Sequence, residues 1–122
     1  MNDLRMFGYK PSLPQLTAEL REEIVERIVA AVDPEKIVLF GSRAEETHRP
    51  DSDIDLLVVR ESAEPSYKRA IPIHAAIWDL PIEVDTDVLV YTPQEVEEWK
   101  GASAAFVTTA LRQGKVIYER QR

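Results

Sequence analysis

Two short apolar runs constrain this chain more than any other feature. Ile37-Val38-Leu39-Phe40 and Leu56-Leu57-Val58-Val59 carry hydrophobic residues at consecutive positions, with no polar alternation. A strand written this way is covered on both faces, so the two runs predict central strands of a sheet with helices packed against it. Between them lies a polar stretch that opens with Gly41-Ser42 and closes with Asp53-Ile54-Asp55. Carboxylates at the mouth of a central strand are costly unless something pairs with them.

The flanking sequence supplies the helices. Leu16, Leu20, Ile24 and Ile28 recur at helical spacing, with Val25, Ala31 and Val32 widening the stripe. Thr17, or Ser12 a turn earlier, is placed to cap this helix, and Asp33-Pro34 to end it. Met1 to Pro14 reads as an irregular lead-in. Tyr67, Ile71, His74 and Trp78 predict a second helix starting near Ser66, with a kink or break at Pro72. Ile82 to Tyr91 alternates and then turns apolar, which predicts a third strand. Thr92-Pro93-Gln94-Glu95 reads as a cap, a proline in the first turn and an acidic helix start, with the helix running to about Trp99. A further helix is expected over Ser103 to Gln113, with Phe106, Val107, Ala110 and Leu111 inside and Gly114 at its end. Lys115 to Glu119 is expected to be a short last strand. The order α-β-β-α-β-α-α-β predicts an α+β fold, a mixed sheet with helices packed on it, as a single domain over residues 1–122.

Composition narrows the functions. The chain has no cysteine, which removes disulfides and thiolate metal sites. There is no apolar stretch of the roughly 20 residues that span a bilayer, and no signal-peptide pattern, so a cytoplasmic protein without a membrane partner is expected. The net charge of −7 argues against binding long nucleic acid, which runs on a basic surface. A phosphorylated ligand remains compatible if a cation accompanies it, and a basic protein partner suits the charge.

The carboxylates suggest such a cation. Asp53 and Asp55 sit two apart, which places them on one face of a strand, with Ile54 turned to the core. Two close carboxylates repel unless a cation lies between them, and hard oxygen ligands suit Mg²⁺ or Mn²⁺. The third strand repeats the pattern with Asp85 and Asp87. If it lies beside the second, one of these two reaches the same ion, and spacing alone does not choose between them. Gly41 would let a phosphate approach the backbone, with the Ser42 hydroxyl and neighbouring amides holding its oxygens. Arg43 and Arg49 flank the loop as candidate phosphate contacts. His48 and His74 are assigned no chemistry. Lys68 and Arg69 read as exposed helix charge, Trp78 and Trp99 as packing or interface residues, and Asp51 and Glu83 as ordinary polar groups.

Gly41-Ser42, the spacer 43–52, and Asp53-Ile54-Asp55 before an apolar strand together resemble the DNA polymerase β nucleotidyltransferase superfamily. More narrowly they are similar to the minimal nucleotidyltransferase (MNT) proteins. Phe40-Gly41-Ser42-Arg43-Ala44 and Pro50-Asp51-Ser52-Asp53-Ile54-Asp55-Leu56 match in style, and Leu111 to Glu119 does so more loosely. The resemblance implies a third carboxylate in an apolar strand leading to a Thr-Pro helix start, a register that selects Asp87. It implies that Asp53, Asp55 and Asp87 are catalytic metal ligands for Mg²⁺ or Mn²⁺, and that Gly41, Ser42 and Arg43 bind a nucleoside triphosphate, expected to be ATP. It further implies transfer of AMP to a hydroxyl acceptor such as a tyrosine of a HEPN-domain toxin. A non-catalytic antitoxin or subunit that works by contact is the alternative. Oligomeric state, base specificity and the acceptor itself stay open at this point.

Overall fold

The computed structural model describes residues 16–44, 52–99 and 106–121. The expected lead-in over Met1 to Pro14, and His48, Arg49 and Asp51 of the polar loop, lie outside the described residues, as does the side chain of Ser42.

The first helix, α1, spans Ala18–Val32. Thr17 caps it, its hydroxyl accepting from the Leu20 amide at 3.1 Å. Asp33 ends it in the left-handed region at φ 48° and donates its amide to Val29 O, so the chain turns before Pro34. Strand β1, Lys36–Phe40, follows and runs into a single 3₁₀ turn over Gly41–Ala44. Strand β2 is Ile54–Val59. A 3₁₀ turn over Ser66–Lys68 leads to α2, Ile71–Ile77. Strand β3 is Thr86–Tyr91, followed by α3 over Pro93–Trp99, α4 over Phe106–Gln113 and β4 over Lys115–Glu119.

The sheet order is β3-β2-β1-β4. β1 is antiparallel to both β2 and β4, and β2 is parallel to β3, so the sheet is mixed as expected. The apolar runs are the two central strands. Alternation sends Ile37, Leu39, Ile54, Leu56 and Val58 to one side, where Ile24, Ile28, Ile73 and Ile77 of α1 and α2 cover them. Val38, Leu57 and Val59 face the other side, packed with Val107 of α4 and half-buried Val96 of α3. Each side of the sheet thus has its own helical layer.

Two sequence expectations are adjusted, and the expected helix end at Gly114 stands. Pro72 does not kink a longer helix. It sits in the first turn of α2, where it lacks only an amide that would have no helical partner, and the residues before it form the 3₁₀ turn instead. The third strand starts at Thr86 rather than Ile82, because Ile82 and Val84 leave the ladder to pack against the core over α1 and α2. Gly114 ends α4 through close approach. A Cβ there would meet Ala110 O and a Val38 methyl at 2.5 Å each, so β1 and α4 meet where only glycine fits.

Candidate active site

Parallel pairing starts β2 and β3 at the same end of the sheet. Ile54 is opposite Thr86 and Asp55 is opposite Asp87. The Ile54 amide donates to Asp85 O at 2.9 Å, which fixes that register one step before the ladder begins. Residues 55, 57 and 59 and residues 87, 89 and 91 therefore point to the α3–α4 side, while Ile54 and Val88 point into the core beneath α1 and α2. Asp55 and Asp87 become lateral neighbours without any offset. Asp53 is on the extended approach to β2, exposed, and Asp85 is exposed outside β3.

The electrostatics follow from this crowding. Partial burial pushes the Asp55 carboxyl pKa up, and the Asp87 carboxylate beside it, which hydrogen-bonds with it, adds to the rise; Asp53 contributes more weakly. Ionisation of Asp55 is thus opposed first by burial and then by its carboxylate neighbours. Among the described residues, no three ligand-type side chains converge on one point. Asp55 and Asp87 meet, and Asp53 stands close enough to be felt but turned to solvent.

Gly41 closes the site from the β1 side. Phe40 is the ladder partner of Asp55, and Gly41 follows it at φ 74°. A Cβ on Gly41 would run into Asp55 Oδ2. The glycine therefore serves first to let the carboxylate lie against the turn, and second to adopt a conformation that other residues resist. The sequence expectation had assigned that open space to a phosphate.

Arg43 is buried, at 4 % exposure. Its Nε and Nη2 donate to Ser52 O at 3.0 and 2.8 Å. The guanidinium thus ties the 3₁₀ turn to the residue immediately before Asp53, joining the two ends of the polar loop. Nothing in one sequence separates an arginine aimed at phosphate from one aimed at a backbone carbonyl, since both are placed just after the glycine turn.

Arg69 and Glu95 form a pair that the sequence does not announce. Arg69 Nη1 donates to Glu95 Oε1 at 2.7 Å, with the arginine side chain almost wholly covered, so it is not the exposed helix charge expected. Glu95 also closes a reciprocal cap with Thr92: the Thr92 amide donates to Glu95 Oε1 and the Glu95 amide to Thr92 Oγ1. Arg69 holds the Glu95 carboxyl below the usual carboxylate range, with the Thr92 amide helping. The Thr-x-x-Glu spacing signals the cap; the arginine comes from across the fold and leaves no local trace.

A cavity of about 250 Å³ adjoins Gly41, lined by Phe40, Ala44, Thr109, Gln113 and Gly114 among others. Another of similar volume lies at the opposite end of β1 and β2, around Lys36, Val59 and Arg120. Its distance from the carboxylates separates it from this chemistry, so the acidic cluster rather than cavity size marks the site.

Comparison with known proteins agrees with the geometry. Residues 22–122 match the family model described as polymerase beta, nucleotidyltransferase. A crystal structure of a candidate nucleotidyltransferase from Sulfolobus solfataricus is similar at 23 % identity, covering 84 % of this chain and 79 % of that one, with a TM-score of 0.57. That likeness speaks to the fold. No curated protein matches significantly.

Proposed function

The chain belongs to the polymerase β nucleotidyltransferase family, and we propose that it transfers AMP from ATP to a hydroxyl on a partner protein. The observation that carries this reading is the in-register placement of Asp55 and Asp87 on adjacent parallel strands, with Asp53 close by and Gly41 leaving room for the carboxylate.

The donor set fits a hard divalent cation. Asp55 and Asp87 are neighbouring oxygen donors and Asp53 a third nearby; burial is the first cause of the raised Asp55 pKa, and the Asp87 and Asp53 charges add a repulsion that a cation would relieve. Asp53, Asp55 and Asp87 would hold Mg²⁺ or Mn²⁺, Asp53 by turning in from solvent. When bound, the metal neutralises triphosphate charge and favours ionisation of the attacking hydroxyl. The remaining work falls to the chain. The amides of the 3₁₀ turn, with Ser42, receive phosphate oxygens, while Gly41 lets the Asp55 carboxylate lie against that turn. Arg43 keeps the loop ends together, so that the turn and the carboxylates hold one geometry. Such catalysis is mostly positioning and charge compensation.

The similarity to MNT proteins supports a HEPN-domain protein as the acceptor, with a tyrosine as the modified residue. The net charge of −7 suits a basic partner. The test is incubation with α-labelled ATP, Mg²⁺ and the product of the neighbouring gene. Label on the partner, lost with EDTA and with Asp55→Asn, is the expected result. Neutralisation of the partner without any label would favour the contact-only reading.

A further inference from the structure

β3 forms one edge of the sheet. Its inward backbone groups are satisfied by β2, flanked by Ile54 N–H to Asp85 O and Arg60 N–H to Tyr91 O. Alternation then turns the amides and carbonyls of Thr86, Val88 and Val90 away from the sheet. Of these groups only Val90 O has a partner among the described residues, a long contact from Arg69 Nη1 at 3.4 Å. The strand Thr86–Tyr91 contains no proline and no lysine, and its last four residues are Val-Leu-Val-Tyr. Proline and lysine, two of the devices that blunt an exposed edge, are absent from its length, and its one charge, Asp87, lies near its start.

A groove of about 440 Å³ lies along this edge. Ser66, Tyr67 and Ala70 form one wall and Val88 to Tyr91 the other. Tyr67 and Leu89 are 77 % and 37 % exposed, which puts apolar surface beside the open backbone groups. The charges within it, Arg69 and Glu95, are spent on each other. Beyond the groove the exposed charges on this side include Glu64 and Lys68, the latter over the Tyr67 ring, near one end and Asp85 and Asp87 at the other. The chemistry that fits is an extended polypeptide: backbone groups to pair with the edge, an apolar side chain for the groove, and a basic residue at the end that meets exposed Asp85.

We propose that the outer edge of β3 docks an extended segment of the acceptor protein as an added strand, and that this delivers a hydroxyl-bearing side chain to Asp87. The proposal rests on the nucleotidyl-transfer reading for its purpose. Asp87 and Leu89 share one face of β3, so a strand lying about 4.8 Å away presents alternate side chains on the face that carries the carboxylates. In the transfer, the hydroxyl oxygen bonds to the α-phosphorus of ATP. The bond from that phosphorus to the bridging oxygen breaks, and pyrophosphate leaves with the electron pair. The hydroxyl proton is released to water.

The test uses the ¹⁵N-labelled full chain and an acetylated, amidated heptapeptide, Lys-Val-Thr-Val-Tyr-Val-Lys. A control peptide is N-methylated at alternate residues. The expected result is amide shifts at Thr86, Val88, Leu89 and Val90, with at least tenfold weaker binding for the methylated peptide and for Leu89→Glu. Absence of shifts at these amides, or equal binding of the methylated peptide, overturns the proposal. The same peptide is then given α-labelled ATP and Mg²⁺. Edge shifts without label keep the docking surface and sink the transfer reading. Label without edge shifts keeps transfer and sinks the docking surface.

Discussion

At the scale of single residues, Asp55 is the pressure point. Its folded-state pKa is raised, so the folded protein binds that proton more tightly than the unfolded chain does. The stability this contributes is fully present below the unfolded value of about 3.9 and is lost as pH rises through the folded value. In EDTA, Asp55→Asn should therefore melt higher than the parent near pH 7, with the gap closing toward about pH 4. Thermal melts across that range check it, and a variant that melts lower at pH 7 would show the carboxylate to be structural. The same substitution should lower transfer by orders of magnitude. Gly41→Ala should cost about 1–2 kcal/mol from its left-handed backbone alone, before the clash with Asp55 is counted. Denaturant titration reads that loss, and an unchanged midpoint would contradict the close approach. The carboxylates and the glycine were legible in the sequence because their spacing is local. The roles of Arg43 and Arg69 were not, because each is decided by the group at the far end of a long side chain.

At the scale of elements, the cap of α3 carries a prediction of opposite sign. Glu95 has a depressed pKa, chiefly through Arg69, so its contribution is present above the unfolded value of about 4.3 and lost as pH falls through the lower folded value. Glu95→Ala should cost about 0.3–1.5 kcal/mol at neutral pH from the reciprocal cap, with some addition from the lost ion pair. The deficit should shrink in acid, and a deficit independent of pH would mean the carboxylate charge is idle. Register makes the second prediction at this scale. Asp87 is opposite Asp55 and Asp85 is outside the ladder, so Asp87→Asn should reduce turnover by orders of magnitude and Asp85→Asn by little. Turnover at saturating ATP and Mg²⁺ decides it, and the reverse ranking would shift the assignment by two residues. Most elements were legible from apolar runs and capping residues. Pro72 misled because a proline inside an apolar period reads alike as a kink and as a helix start. Ile82 misled because alternation also fits a segment that packs beside a strand without joining it.

At the scale of the whole molecule, the acidic site sits at one end of a sheet whose core does not depend on it. Ligand that binds the folded state alone should therefore stabilise by mass action, by about 2.7 kcal/mol at a hundredfold excess over its dissociation constant. MgATP should raise the melting temperature and ATP with EDTA should not; equal shifts in both would remove the carboxylate metal site from the account. The sequence by itself determined the two buried strands, the helices that cover them, and the Gly-Ser and Asp-x-Asp elements between them. These are short-range features, written in hydrophobic period and in residues that cap or turn the chain. The tertiary structure decided that β2 and β3 run parallel with Asp55 against Asp87, that Gly41 yields its space to a carboxylate, and that β3 is the edge of the sheet among the described residues. Those outcomes depend on which strands lie side by side, which is set by burying both faces of one sheet at once and leaves no mark at any single position.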